Sequence, residues 1–396
     1  MRSTEKSPTT DRRALAAVAA QFFVNGALFA SFLPRMPEIR DHVDISIARV
    51  GLLMSIAGFA GLVGSAAAGP AIARFGTRRV MLGGGSIIAV SLPIVGLANT
   101  QVALLVGLVA MLTFDAPVDV AMNLQGSWLS ARRHAPVMNR LHGLWSLGAA
   151  VGGLSSSRIA ASGVSLSVHL TMAGAVLLMV VIVVSRGVLQ TDEHPVPEVQ
   201  GGSTAPAGAT ARRSPPAVLL LFALAGFTAL AIEATSIDWA AFRLSDDLGS
   251  GAGFAALGYA AVTTGMTIGR FGGDWVAHRV GPARLSGWAS AVTAAGLVIA
   301  TLVDNRHLVL TGYLLAGVGI ATMLPTIYDQ AAKHPGRPGA GLGALTAGLR
   351  LAILTVPFIV GTIAATDLSV GSAVAIVTLP SVAGFVVVGR ALQRSS

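Results

Sequence analysis

Residues 187–215, GVLQTDEHPVPEVQGGSTAPAGATARRSP, decide how the rest of the chain is read. The stretch is rich in Pro, Gly, Ala and Thr and has no apolar period, which marks a flexible linker. Working outward, charge-free apolar runs precede it at 14–34, 50–73, 80–114 and 159–185. Others follow at 214–232, 248–269, 285–303, 307–328 and 368–389. A membrane helix needs about 20 mostly apolar residues, so 80–114 is too long for one span. Asn99, Thr100 and Gln101 divide it, and its second part continues to Gln125 with only Asp115 and Asp119 inside. Segments 141–163 and 339–365 are spans with a single internal charge each, Arg158 and Arg350. The expected organisation is a tail at 1–13, six spans in 14–186, a linker at 187–215, six spans in 216–392 and a tail at 393–396.

Composition agrees with a membrane protein. Of 396 residues, 53% are hydrophobic and 11% charged, against about 25% charged in soluble domains. The 47 glycines suit packed membrane helices, where small residues let backbones approach. With no cysteine, disulfides, thiolate metal sites and cysteine nucleophiles are excluded. The net charge of +9 alone would suggest nucleic acid. Its distribution says otherwise: with the N-terminus inside, 20 of 27 Lys and Arg residues fall on the cytoplasmic side and six opposite. That is a positive-inside bias, and it places both termini in the cytoplasm of a bacterial inner membrane. The first span follows Arg12 and Arg13 but exceeds a signal peptide's apolar region, so it is read as a retained helix.

One internal offset recurs. At 205 residues, Arg74-Phe75-Gly76 matches Arg279-Val280-Gly281, and Gly143-Leu144-Trp145 matches Gly348-Leu349-Arg350. Two parallel six-helix halves follow, with a site expected between them near the midplane.

Twelve spans, a central loop and a basic glycine turn after span two resemble the major facilitator superfamily. Its G-x-x-x-D-R-x-G-R-R motif is matched by Gly69, Arg74, Gly76, Arg78 and Arg79, with Ala73 where the motif has Asp. A second copy includes Arg270, Asp274, Arg279 and Gly281. The resemblance implies a gating role for both. Leu33–Arg40, Asp119–Asn123, His142–Gly148 and Glu233 with Ile237-Asp238-Trp239 are similar to the YbjJ-like branch, relatives of fucose permeases. That resemblance implies carboxylate proton carriers in the first and fourth spans; span one here has none.

Ionisable groups inside a membrane are functional candidates. Asp115, Asp119 and Asn123 share one helix face. Asp115, Glu233 and Asp119 are the proton-coupling candidates; the alternative is a fixed pair that pins helices. Asp119, Asn123 and His142 read as a cluster at the inner gate. Arg350 is read as a counter-charge for a carboxylate such as Glu233, or as an anion anchor; Arg158 is another possible partner of Glu233. Asn25, Trp145, Trp239 and Tyr328, with Gln125 and Gln330, are candidates for the cavity or gate. Interhelical bonding or interfacial anchoring is the alternative for each.

No G-x-x-x-x-G-K-[ST] or H-E-x-x-H pattern occurs, so ATP drive and a zincin site are not indicated. Asp119, Asn123 and His142 are the sole candidate set for a membrane enzyme, and a channel or sensor lacks its usual motif or added domain. The reading is an all-α major facilitator fold, not an enzyme, without cofactor or metal. It implies a secondary transporter of a small organic solute that exchanges protons, sits in lipid, binds no nucleic acid and functions as a monomer. Efflux by proton antiport is favoured over proton-symport uptake of a sugar.

Overall fold

A computed structural model describes residues 8–135, 137–190, 192, 215–334 and 339–395. Among the described residues there are twelve helices of twenty or more residues and no strand. They are α1 Pro8–Phe32, α2 Ile47–Phe75, α3 Thr77–Gly96, α4 Gln101–Arg132, α5 Met138–Ala161 and α6 Leu166–Ser185. After the linker come α7 Pro216–Asp238, α8 Ala252–Val280, α9 Pro282–Leu302, α10 Arg306–Ala332, α11 Ala340–Ala364 and α12 Val370–Ser395. Ten of the twelve are long and apolar enough to cross a membrane. α5 and α8 are not in that set; they pack on each other between the halves and carry Arg140, Arg158, Arg270 and Arg279. The fold is that of an all-α membrane protein in two six-helix halves.

The ends of the helices follow a pattern. On the face away from the N-terminus, α2, α4, α6 and α10 begin with Ser46, Thr100, Ser165 and Asn305, whose side-chain oxygens accept from backbone N–H groups of the first turn. These caps satisfy donors the helix cannot. On the N-terminal face, α2 passes to α3 through Gly76 alone, and α8 to α9 through Gly281 alone, at φ 79° and 83°. Only glycine takes such angles without strain. The basic motifs are therefore helical up to a one-residue turn, where the sequence suggested longer loops.

The halves repeat in their close crossings, at two offsets. A Cβ at Gly64 would strike the carbonyl of Thr113, and one at Gly269 that of Val318, again 205 apart. In the α1–α5 and α7–α11 pairs the offset is 200: Gly26 meets Trp145 as Gly226 meets Leu345, and Gly148 meets Phe23 as Gly348 meets Ala223. Gly148, not Gly143, is thus the counterpart of Gly348, and Trp145 corresponds to Leu345 rather than to Arg350.

Two crossings join the halves. Gly51 and Gly58 of α2 lie against Pro357 and Ile353 of α11; Ala161, Gly153 and Gly143 of α5 meet Gly253, Tyr259 and Phe271 of α8. The α2–α11 glycine contacts lie toward the far face, whereas the α5–α8 contacts run from Ala161 at the far face to Gly143 toward the N-terminal face, so the halves stay in contact along α5 and α8.

Three boundaries differ from expectation. α1 begins at Pro8, so residues 8–13 are helical; residues 1–7 of the expected tail lie outside the described residues. Arg158, expected inside a span ending at 163, sits in the last turn of α5, which ends at Ala161, and is exposed. The start of the expected linker is tied down: Val188 and Leu189 are buried, and Asp192 accepts from both the N–H and the Oγ1 of Thr77. Residues 191 and 193–214 lie outside the described residues.

Candidate functional site

A cavity of about 330 Å³ lies between the halves. On the N-half side it is lined by Asn25 and Phe29 of α1, Asp115 and Asp119 of α4, and His142 and Trp145 of α5. Glu233 and Ile237 of α7, with Tyr259 and Arg270 of α8, line the other side.

A chain of hydrogen bonds crosses three helices. Trp145 Nε1 donates to Asn25 Oδ1 at 2.7 Å, and Asn25 Nδ2 donates to Asp115 Oδ1 at 2.8 Å. The indole N–H fixes which end of the amide faces the carboxylate, because it can only donate. Gly26 and Gly148 make this possible by letting α1 and α5 touch backbone to backbone. One turn along, Asn123 Nδ2 donates to Asp119 Oδ1 at 3.0 Å.

Opposite, Arg270 Nη2 lies 3.8 Å from Glu233 Oε1, its guanidinium sits 5.6 Å from the centre of the Trp145 ring, and Nη1 donates to Ser146 Oγ. One side chain thus pairs a carboxylate of its own half and reaches the other half.

Several expectations are corrected. Arg270 is in the central cavity, not at a gate, because α8 runs on to Val280 instead of stopping near 269. The partner of Glu233 is Arg270, not Arg350 or Arg158. Asp119 and His142 share the cavity with Asp115 and do not form a separate inner gate, since α4 continues to Arg132. Trp239 is 1% exposed and packs on Phe242 in the core, away from the cavity. Gln125 is fully buried and binds Thr77 Oγ1 and both the carbonyl and the N–H of Leu189. Gln330 lines a different pocket, beside Arg390. Tyr328 is 41% exposed and is not among the side chains lining the cavity, but it stands within electrostatic reach of two that are, Asp119 and Glu233.

Arg350 has no counter-charge among the described residues. It lies three and seven residues before Ile353 and Pro357, which touch α2, and so on the same stripe of α11. It is exposed. Of the motif residues, Gly69 is half-buried in α2, Arg74 and Arg79 are exposed, and Arg78 donates to Ser185 O at 2.8 Å. Arg279 stacks on Trp275 at 3.8 Å. The side chain of Asp274 lies outside what is described.

At the far face the structure shows an arrangement the sequence reading missed. Arg40, on the short helix Met36–Val43, forms a two-armed ion pair with Asp246, on a five-residue π-helix, Arg243–Asp247, after α7. Each half also has a buried arginine just past its first helix. Arg35 pairs with Glu38 and donates to Val164 O near the start of α6; Arg243 pairs with Asp247 and Asp304 and donates to Val303 O. Asp247 in turn accepts from the N–H groups of Val370 and Gly371 at the start of α12. The available signal was an arginine followed by an acid three or four residues on, near the end of the first helix of each half.

A carrier built from two six-helix halves around a charged cleft is the class these features define. The chain belongs to the major facilitator superfamily, whose family model matches residues 18–357. It is 24% identical to an uncharacterised MFS-type transporter of Yersinia pestis, over 87% of each chain. It is 27% identical to an uncharacterised transporter of Sinorhizobium fredii, over 88% of this chain and 90% of that one. A mutant of the nucleoside transporter NupG superposes with a TM-score of 0.73 at 12% identity, covering 96% of this chain and 98% of that one; this likeness is one of fold.

Proposed function

We propose that this transporter moves a small organic solute by alternating access and couples the movement to protons through the carboxylates of α4. The observation that carries the reading is the position of Asp115 and Asp119, in a cavity lined by side chains of both halves. A carboxylate that meets one side of the membrane and then the other can load and release a proton, and two rocking halves provide that exchange. The positive-inside bias supports a cytoplasmic-membrane location with both termini inside. The N-terminal face is then the cytoplasmic one. Export by proton antiport is the favoured direction. A second reading, proton-symport uptake of a sugar, is supported by a small cavity with the Trp145 indole and the Asn25 amide on its wall.

The test uses liposomes with a trapped pH dye and no preset gradient, and protein-free vesicles as the baseline. Sugars, organic acids and amphiphilic compounds are added outside. Alkalinisation of the lumen that requires the compound and Asp115 means antiport. Acidification means symport. Cargo exchange without proton movement, unchanged in Asp115→Asn, overturns the coupling.

A further inference from the structure

The charges of the cleft do not balance. Glu233 and Arg270 face each other and cancel. Asp115 and Asp119 each accept one hydrogen bond from a neutral amide, Asn25 and Asn123. No cation among the described residues contacts either of them, and the second oxygen of each carboxylate has no partner there. Arg350 is not part of the cavity lining.

When the cleft closes, two carboxylates lose water without a fixed counter-charge, and that is costly unless a positive species travels with them. We propose that the cargo supplies it: the cleft takes a solute bearing a cationic amine, with the ammonium between Asp115 and Asp119 and the body of the solute against Trp145 and Tyr259. This rests on the transport reading and names its substrate class. An ammonium has three donors for the two unpartnered oxygens. The cavity, at about 330 Å³, sits at the small end of the range for small-molecule sites, about 300–1,000 Å³. An anionic cargo would find Arg270 already held by Glu233 and Ser146.

The test is calorimetric titration of the purified full chain with sets of compounds similar in size and different in charge. One set is glucosamine, glucose and glucuronate; another is tyramine, 4-propylphenol and 4-hydroxyphenylacetate. The expected result is that an amine binds roughly tenfold or more tightly than its neutral and anionic counterparts. Asp115→Asn and Asp119→Asn lose that preference and Asp115→Glu keeps it, with thermal melts confirming that each variant is folded. Equal or tighter binding of a neutral or anionic member, binding by no amine, or an amine preference that survives both Asn substitutions together overturns the proposal. Counterflow or proton flux with a neutral compound in the liposome assay would in that case uphold transport while the amine site falls.

Discussion

Removing the charge of Asp246 should open the far face. Arg40 and Asp246 belong to different halves, and their side chains are 16% and 22% exposed. A two-armed Arg–carboxylate pair is stronger than a single-point contact, while partial exposure keeps it well below a buried one. We assign it about 1.5 kcal/mol, which corresponds to roughly tenfold in the ratio of the closed to the open arrangement at that face. Asp41 also pairs with Arg40, so the arginine keeps one partner and the loss is not that of a stranded charge. Because the chain has no cysteine, a single introduced one reports without background. Ser55 is 8% exposed and accepts from Phe358 N across the α2–α11 joint, so Ser55→Cys is shielded when that face is closed. The maleimide labelling rate of this cysteine should rise roughly tenfold on Asp246→Asn. The Arg40→Asp, Asp246→Arg double exchange should bring it most of the way back. An unchanged rate, or an increase that the exchange does not reverse, would refute the latch.

Other outcomes follow from the same contacts. Gly148→Ala and Gly348→Ala each place a methyl group against a carbonyl oxygen and should cost about 1–3 kcal/mol in thermal melts. Gly83→Ala, with open space around it, should cost no such amount. Gln125→Leu removes hydrogen bonds to Thr77 and Leu189 and should cost about 1–3 kcal/mol while speeding amide exchange at Leu189. Arg243→Ala leaves Asp247 beside the α12 N-terminus without its cation, a loss of about 3–5 kcal/mol in melts, with Arg243→Lys intermediate.

Much of the fold could be read from charge-free runs, because a membrane imposes one length and one polarity on every span. The errors arose where helices face protein instead of lipid. α8 carries Arg270 well inside the fold because Glu233 and Ser146 are there to receive it, and no hydropathy pattern encodes that partner. Asp115 and Asp119 were visible as acids one turn apart. The link from Trp145 through Asn25 to Asp115 was not, since it joins residues 120 and 90 positions apart. Trp239 was misplaced because a tryptophan near a span end has the same sequence signature whether it faces a cavity, an interface or, as here, the core.

The paired glycine crossings have a consequence for how such a molecule can diverge. Gly26 with Gly226, and Gly148 with Gly348, hold the same backbone geometry in both halves, yet the positions around them differ in chemistry. At the 200-residue offset Asn25 corresponds to Ala225 and Glu233 to Leu33; at 205, Asp115 corresponds to Ile320. The duplicated part is a mechanical frame, and the ionisable groups are fittings specific to each half. Substitutions at the fittings can change what is carried without altering how the frame moves, whereas an added methyl at a crossing strains the frame whatever the cargo.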